Sequence, residues 1–256
     1  MINVSHLSKH FGSVVAVEDL TLAIPRGELF CFLGPNGAGK TTSIKLMTGL
    51  LKPRTGAVSV AGIDILARPL EAKLKMGYIP DTPYLYDRLT CTEFFRFTGQ
   101  LYNLPGPRID AGYEELFATF SLTDYRSVLV KDLSHGLRQR LAYASTLLHD
   151  PEVMFIDEPL VGLDPYTIRL IKDLLVQRAR GGMTIFLTTH ILALAQDIAD
   201  RIGIILNGKL VALGTLSELL ALGKGDNLEQ VFLTLTAEAY RDHPEGRRIA
   251  GLEMEG

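Results

Sequence analysis

The residues best suited to chemistry stand together in Gly34-Pro35-Asn36-Gly37-Ala38-Gly39-Lys40-Thr41-Thr42, which satisfies the phosphate-loop pattern G-x-x-x-x-G-K-S/T without a departure. Gly34, Gly37 and Gly39 let the backbone wrap closely enough for successive N–H groups to face phosphate oxygens. Lys40 adds a mobile cation, and Thr41 offers a hydroxyl to the Mg²⁺ that accompanies a triphosphate. The apolar run Leu29 to Leu33 before the loop predicts a buried parallel strand. Ser43 to Gly49 after it predicts a helix, whose dipole favours the same negative charge. The expected ligand is a nucleoside triphosphate; the competing reading is a glycine-rich turn before an ordinary helix.

A second set of groups points to the same chemistry. Val153-Met154-Phe155-Ile156 predicts another apolar strand, and it ends in Asp157-Glu158-Pro159, which delivers two adjacent carboxylates to one sheet edge. Alternation along an extended chain would send them in opposite directions. Asp157 is suited to hold Mg²⁺ and Glu158 to orient or deprotonate an attacking water; otherwise both acids simply begin a turn at Pro159. Leu133-Ser134-His135-Gly136-Leu137-Arg138-Gln139-Arg140 precedes a helical run, so Ser134 to Gly136 falls at a helix N-terminus. That position is a second anion site or a structural cap. Thr188-Thr189-His190 ends a third apolar strand and aims an imidazole at the same edge.

The rest of the chain has to position these groups. Its 256 residues suit one α/β domain with an inserted subdomain, and 47 % hydrophobic residues can fill the core. A net charge of -3 with interspersed signs gives no basic field, so no nucleic-acid partner is expected. The opening MINVSHLSKHFG lacks the apolar core of a signal peptide, and no run approaches the roughly eighteen apolar residues of a membrane span. A cytosolic chain is expected. Cys31 and Cys91 lack metal-ligand spacing and read as reduced thiols, with neither disulfide nor zinc.

Strands are expected at Ile2 to Leu7, Leu20 to Ile24 and Ala57 to Ala61. Helical patterns follow at Thr92 to Leu101, Asp110 to Phe120 and Leu137 to Leu148, marking an inserted helical subdomain over about 82–148. Strand and helix then alternate: helix Pro165 to Ala179, strand Thr184 to Thr189, helix Leu192 to Ala199, strand Gly203 to Leu206 and a hairpin turn at Asn207-Gly208. Alternation of this kind implies parallel strands with ligands at their carboxyl ends. Asn227 to Gln230 has the form of a capping box, with Leu228, Val231, Phe232 and Leu235 on one helical face. Residues 238–256 read as a loose polar tail.

Taken in this order, the motifs resemble the ATP-binding subunit of an ABC transporter over about Met1 to Thr236. The resemblance implies an α/β fold within residues 1–237: a P-loop NTPase core with a mixed, mainly parallel sheet, an N-terminal antiparallel β subdomain and the inserted helices. In it Gly34 to Thr42 is the Walker A motif, Val153 to Glu158 the Walker B strand with its catalytic glutamate, and Leu133 to Leu137 the signature. Gly162-Leu163-Asp164 looks like the D-loop, His190 like the switch histidine that senses γ-phosphate, and Phe11 like the aromatic on which adenine stacks. No Asn-Lys-x-Asp guanine motif occurs, which favours ATP. The implied cofactors are ATP and Mg²⁺. The implied partners are a second ATPase subunit, identical or not, and separate transmembrane permease subunits, at the cytoplasmic face of the membrane.

Tyr84-Leu85-Tyr86 and Phe94-Phe95 are subdomain core or, where exposed, a docking surface for those subunits; with the ending LEQVFLTLT they look most like bacterial multidrug or ABC-2-type exporters. Two positions depart from the family. His135 and Leu137 stand where its Leu-Ser-Gly-Gly-Gln signature has glycine and glutamine, and Asp81 stands where most members carry a glutamine. Asp81 either reaches the Mg²⁺ shell or starts an Asx-type turn with Thr82-Pro83. A soluble ABC-type ATPase and a non-hydrolysing module that uses ATP to dimerise remain the rival readings.

Overall fold

The computed structural model describes residues 1–160, 162–223 and 227–241. In chain order the strands and helices begin with β1 (Ile2–Phe11), β2 (Val14–Ile24), β3 (Leu29–Leu33), α1 (Lys40–Met47), β4 (Thr55–Val60), β5 (Ile63–Asp64), α2 (Pro69–Leu74) and β6 (Met76–Ile79). The helical insertion follows as α3 (Cys91–Leu101), α4 (Gly106–Thr119) and α5 (His135–Leu147). The chain then returns through β7 (Val153–Asp157), α6 (Pro165–Arg180), β8 (Thr184–Thr189), α7 (Leu192–Ile198), β9 (Arg201–Leu206), β10 (Lys209–Gly214), α8 (Leu216–Gly223) and α9 (Leu228–Arg241).

β3, β7 and β8 are buried along their whole length, as continuous apolar runs demand when both faces of a sheet are covered. They lie within a six-stranded sheet of order β10-β9-β3-β8-β7-β6, parallel except for β10. Alternate residues serve two cores. Leu29, Cys31 and Leu33 face the helices, whereas Phe30 and Phe32 join Phe186 in the layer under the second sheet, with Phe30 and Phe186 stacked at 5.5 Å. That second sheet, β2-β1-β4-β5, is antiparallel. The architecture is the mixed α/β one expected. Cys31 and Cys91 are buried and free.

The differences from expectation have local causes. β1 and β2 extend well beyond Leu7 and before Leu20, because left-handed His6 (φ 49°) and Asp19 (φ 51°) shift the pairing register and break the period-two pattern. α4 starts at Gly106 rather than Asp110: Pro107 lies in its first turn, where a missing N–H costs nothing. Short α2, β6 and α8 carry too little periodicity to be read. Asn207 (φ 48°) and Gly208 (φ 78°) supply the two left-handed residues of a tight hairpin between β9 and β10. Asn227 Oδ1 accepts from Gln230 N at 2.9 Å, and Leu228 and Val231 are buried. α9 then runs to Arg241, past the boundary expected at Ala237; residues 242–256 of the expected tail lie outside the described residues. Among the described residues no helix is long and apolar enough to cross a membrane.

The helical insertion packs around Phe95, which meets Phe117 edge-on at 5.3 Å and Tyr113 at 5.8 Å. α3 is started by a capping box: Thr90 Oγ1 accepts from Glu93 N at 3.2 Å, and Glu93 Oε2 accepts from Thr90 N at 2.8 Å. The Thr90 backbone N–H, then the Thr90 hydroxyl, hold the Glu93 carboxyl below its usual range. A depressed carboxyl stabilises the fold above its ordinary pKa, and that contribution disappears as pH falls through the folded-state value. Thr90→Ala is expected to cost about 0.5–2 kcal/mol at neutral pH, with Thr90→Ser close to wild type. Urea unfolding followed by circular dichroism measures this, and the gap between Thr90→Ala and wild type should narrow in acid as Glu93 protonates.

Candidate functional site

β3 feeds the phosphate loop from the middle of the sheet, where Gly34 N donates to Thr189 O of β8 at 3.2 Å. The loop is pressed against backbone on two sides. A Cβ on Gly34 would lie 2.4 Å from Ile205 O, and one on Gly39 (φ 107°) 2.3 Å from Ala16 O, so neither position admits a side chain. Lys40 opens α1 and is 6 % exposed; its ammonium donates to Gly34 O at 2.7 Å and Pro35 O at 3.1 Å. The loop borders a cleft of ≈ 290 Å³ to which Asn36, Gly37, Lys40, Thr41, Asp81 and Glu158 contribute, with Val14 to Ala16 of β2 as the opposite wall. The first-turn N–H groups of α1 lie at this cleft, as a phosphate requires.

Asp157 and Glu158 do separate, but not by strand alternation. β7 ends at Asp157, and Glu158 turns left-handed (φ 48°), a conformation that costs a non-glycine residue about 1–2 kcal/mol. Its N–H donates to Thr188 O at 3.1 Å. Asp157 stays buried and accepts the Thr188 hydroxyl at 2.5 Å on Oδ1; its Oδ2 has no hydrogen bond among the described residues. Glu158 Oε1 stands 3.1 Å from Lys40 Nζ in an ionic contact whose geometry is not that of a hydrogen bond. Its Oε2 lies 2.9 Å from His190 Nδ1 and accepts from the His190 backbone N–H at 3.3 Å. Glu158 is thus held between the ammonium and the imidazole.

β6 pairs with β7, Ile79 opposite Ile156, which brings Asp81 to the same edge. Its carboxylate is exposed and makes no hydrogen bond among the described residues, so the Asx-turn reading finds no bond to support it. Burial, then the charges of Asp157 and Asp81, push the Tyr78 phenol up to about 12; both carboxylates act on one neighbourhood. The described residues contain no cluster of three or more His, Cys, Asp or Glu that would cage a metal. Thr41, Asp157 and Asp81 offer one hydroxyl and two carboxylates, the sparse set with which Mg²⁺ is held when phosphate oxygens and water complete its shell.

Other expected residues lie apart. Phe11 ends β1 at the hairpin tip, 49 % exposed, with Lys9 Nζ 5.3 Å from its ring centroid; it borders the wall formed by Val14 to Ala16 rather than the cleft itself. Ser134 is exposed and caps α5 through Leu137 N at 3.3 Å, and neither it nor Gly136 lines the phosphate-loop cleft. Tyr84 and Tyr86 are 88 % and 57 % exposed, whereas Phe94 and Phe95 are buried core. Sequence reasoning missed Thr188 and the β2 wall. A threonine pair inside an otherwise apolar strand was the available signal for the first; nothing in the pattern marks the second.

The family profile described as ABC transporter matches residues 17–161. The chain is 36 % identical over 248 residues to "Probable multidrug ABC transporter ATP-binding protein YbhF" of Escherichia coli (strain K12), covering 95 % of this chain but 43 % of that protein. It is 34 % identical to the ABC transporter ATP-binding protein NatA of Bacillus subtilis (strain 168), covering 91 % of this chain and 97 % of that one. A solved ATP-binding subunit of an ABC transporter superposes with a TM-score of 0.87 at 33 % identity, over 92 % of this chain and 99 % of the other. With the phosphate loop, the Asp157-Glu158 edge and His190 gathered on such a fold, the chain belongs to the ATP-binding cassette family of ABC transporters.

Proposed function

We propose that this chain is a Mg²⁺-dependent ATPase that pairs with a second cassette to drive a membrane exporter. The observation that carries the reading is Glu158, a strained carboxylate held at the phosphate-loop cleft between Lys40 and His190. A triphosphate bound to amides of the phosphate loop and of the first turn of α1 supplies Lys40 with a stronger counter-ion, and Glu158 is then free to accept a proton from water. His190 keeps the carboxylate oriented through Nδ1 and its backbone N–H, which serves a histidine that senses γ-phosphate. Mg²⁺, held by Thr41, Asp157 and Asp81, would supply positive charge to the β- and γ-phosphates. Phe11 offers adenine an exposed ring beside the cleft wall.

Ser134 and Gly136 stand outside their own chain's cleft, so their amides and hydroxyl serve a nucleotide held by a second subunit, head to tail. Exposed Tyr84 and Tyr86 follow Asp81 directly and form the surface for separate permease subunits, with the cassette on the cytoplasmic face. The export direction rests on the similarity to YbhF, a probable multidrug ABC transporter ATP-binding protein of which this chain spans less than half.

Glu158→Gln should leave ATP affinity near wild type, lower phosphate release by roughly a hundredfold or more, and accumulate an ATP-bound dimer on size-exclusion chromatography. A rate within about threefold of wild type would remove Glu158 from the water step. A wild-type protein that dimerises on ATP yet releases no phosphate, alone or with permease, would instead establish the non-hydrolysing reading.

Asp81 is tested by Mg²⁺ titration of ATPase activity in wild type, Asp81→Gln and Asp81→Ala. The Mg²⁺ concentration for half-maximal rate should shift in both variants, with Gln retaining more activity because its amide oxygen still ligates a hard cation. Identical midpoints and maximal rates in all three would return Asp81 to a turn residue.

A further inference from the structure

The N-terminal turns of α5 and α6 meet at two glycines. A Cβ on Gly136 would stand 3.3 Å from Asp164 Oδ2 and 3.7 Å from Thr167 Oγ1, and one on Gly162 would stand 3.7 Å from His135 Cδ2. Asp164 caps α6: Oδ1 accepts from Thr167 N at 3.0 Å and Oδ2 accepts the Thr167 hydroxyl at 2.6 Å. The hydroxyl and then the amide of Thr167 hold the Asp164 carboxyl below its usual range, with Arg140 adding to the effect. That pair alone would satisfy the helix end.

Arg140 adds what a cap does not need. From α5 its Nε and Nη2 both donate to Thr167 Oγ1, at 3.0 and 2.6 Å, while the guanidinium stands 3.8 Å from Asp164 Oδ2 and 5.2 Å from the Tyr166 ring centroid. The side chain is 13 % exposed and Thr167 is fully buried. On the other flank of α5, Arg138 binds Asp87 and Val130 O, tying the helix to the inserted subdomain. Arg140 ties it to the core, at the N-terminus of the helix that follows Glu158.

We propose that Arg140 is a positioning residue which, through Thr167 and Asp164, sets the orientation of the Ser134 to Gly136 turn toward a triphosphate held by a second copy of the chain. The inference rests on the reading above in which that turn acts across the dimer. Its physical basis is contact: Asp164 Oδ2 and Thr167 Oγ1, the two groups that Arg140 holds, are the atoms nearest a Cβ placed on Gly136, so the first turn of α5 rests on the N-terminus of α6. An arginine suits the task because its planar fork spends two donors on one oxygen and leaves the remaining face for Tyr166.

The test uses the full chain in the Glu158→Gln background and measures the ATP concentration that gives half-maximal dimer by sedimentation velocity. Thr167→Val preserves shape and the Asp164 cap on the backbone but removes the hydroxyl that Arg140 binds. It should raise that concentration about tenfold, the loss of one to two hydrogen bonds with a charged donor. Arg140→Lys should do the same, Thr167→Ser should restore the parent value, and binding of a fluorescent ATP analogue to the monomer should not change. With Glu158 intact, both damaging variants should lower kcat/KM.

Ser134→Arg separates the two layers of the argument. If Ser134→Arg abolishes dimerisation while Thr167→Val and Arg140→Lys lower the melting temperature without moving the ATP midpoint, the positioning role is overturned and the signature reading survives. If Ser134→Arg itself leaves the midpoint unchanged, the trans-acting turn is lost and the proposal falls with it.

Discussion

A buried ammonium and a carboxylate have to neutralise each other beneath the phosphate loop, and much of the site's geometry follows from that constraint. Charges taken out of water are tolerated only when paired and hydrogen-bonded. Lys40 satisfies the requirement with two loop carbonyls and Glu158, and Glu158 with Lys40 and His190. The three residues come from α1, the end of β7 and the end of β8, elements that only a parallel sheet of order β3-β8-β7 delivers to one edge. Register completes the alignment: Leu33 lies opposite Thr189, and Asp157 opposite Thr188. The left-handed turn at Glu158 then aims one carboxylate at the cleft while the other stays on Thr188.

The inserted helices pack around Phe95, Tyr113 and Phe117, within the same apolar core that covers the helix-facing side of the large sheet through Leu141 and Tyr143 of α5. Arg138 and Arg140, near the N-terminus of α5, add polar ties to Asp87 and Thr167 at the rim of that core. Exposed Tyr84 and Tyr86 lie on the segment between β6 and α3, where the chain leaves the sheet for the inserted helices.

What could be read from the chain was whatever is contiguous. The phosphate loop, the apolar β7 ending in two acids and the Thr-Thr-His ending of β8 are local patterns, and the fold placed them together because each strand carries its chemistry at its carboxyl end. The outer halves of β1 and β2 were not legible: bulges at His6 and Asp19 interrupt the alternation on which strand reading depends. The divergence of Asp157 and Glu158 was foreseen for the wrong reason, since one backbone angle, φ 48°, has no sequence signature in a glutamate. Thr188 on Asp157 and Arg140 on Thr167 are contacts between residues 31 and 27 positions apart. No periodicity encodes such pairs; they exist only after the sheet and helices have closed.

The hairpin at Asn207-Gly208 joins parts of the site that lie far apart in sequence. Gly208 N donates to Ala38 O at 2.9 Å, and Gly208 O accepts from Glu18 N at 2.9 Å, so this turn braces the phosphate loop from outside and ties it to β2. Ile205 packs against Gly34 from the strand just before it. The strand and turn that hold the loop's backbone in place follow it by about 170 positions, a separation set by the chain order of β3 and β9. The nine residues of the loop are contiguous, yet the backbone shape they hold is a long-range property of the fold, complete only when β9 lies beside β3.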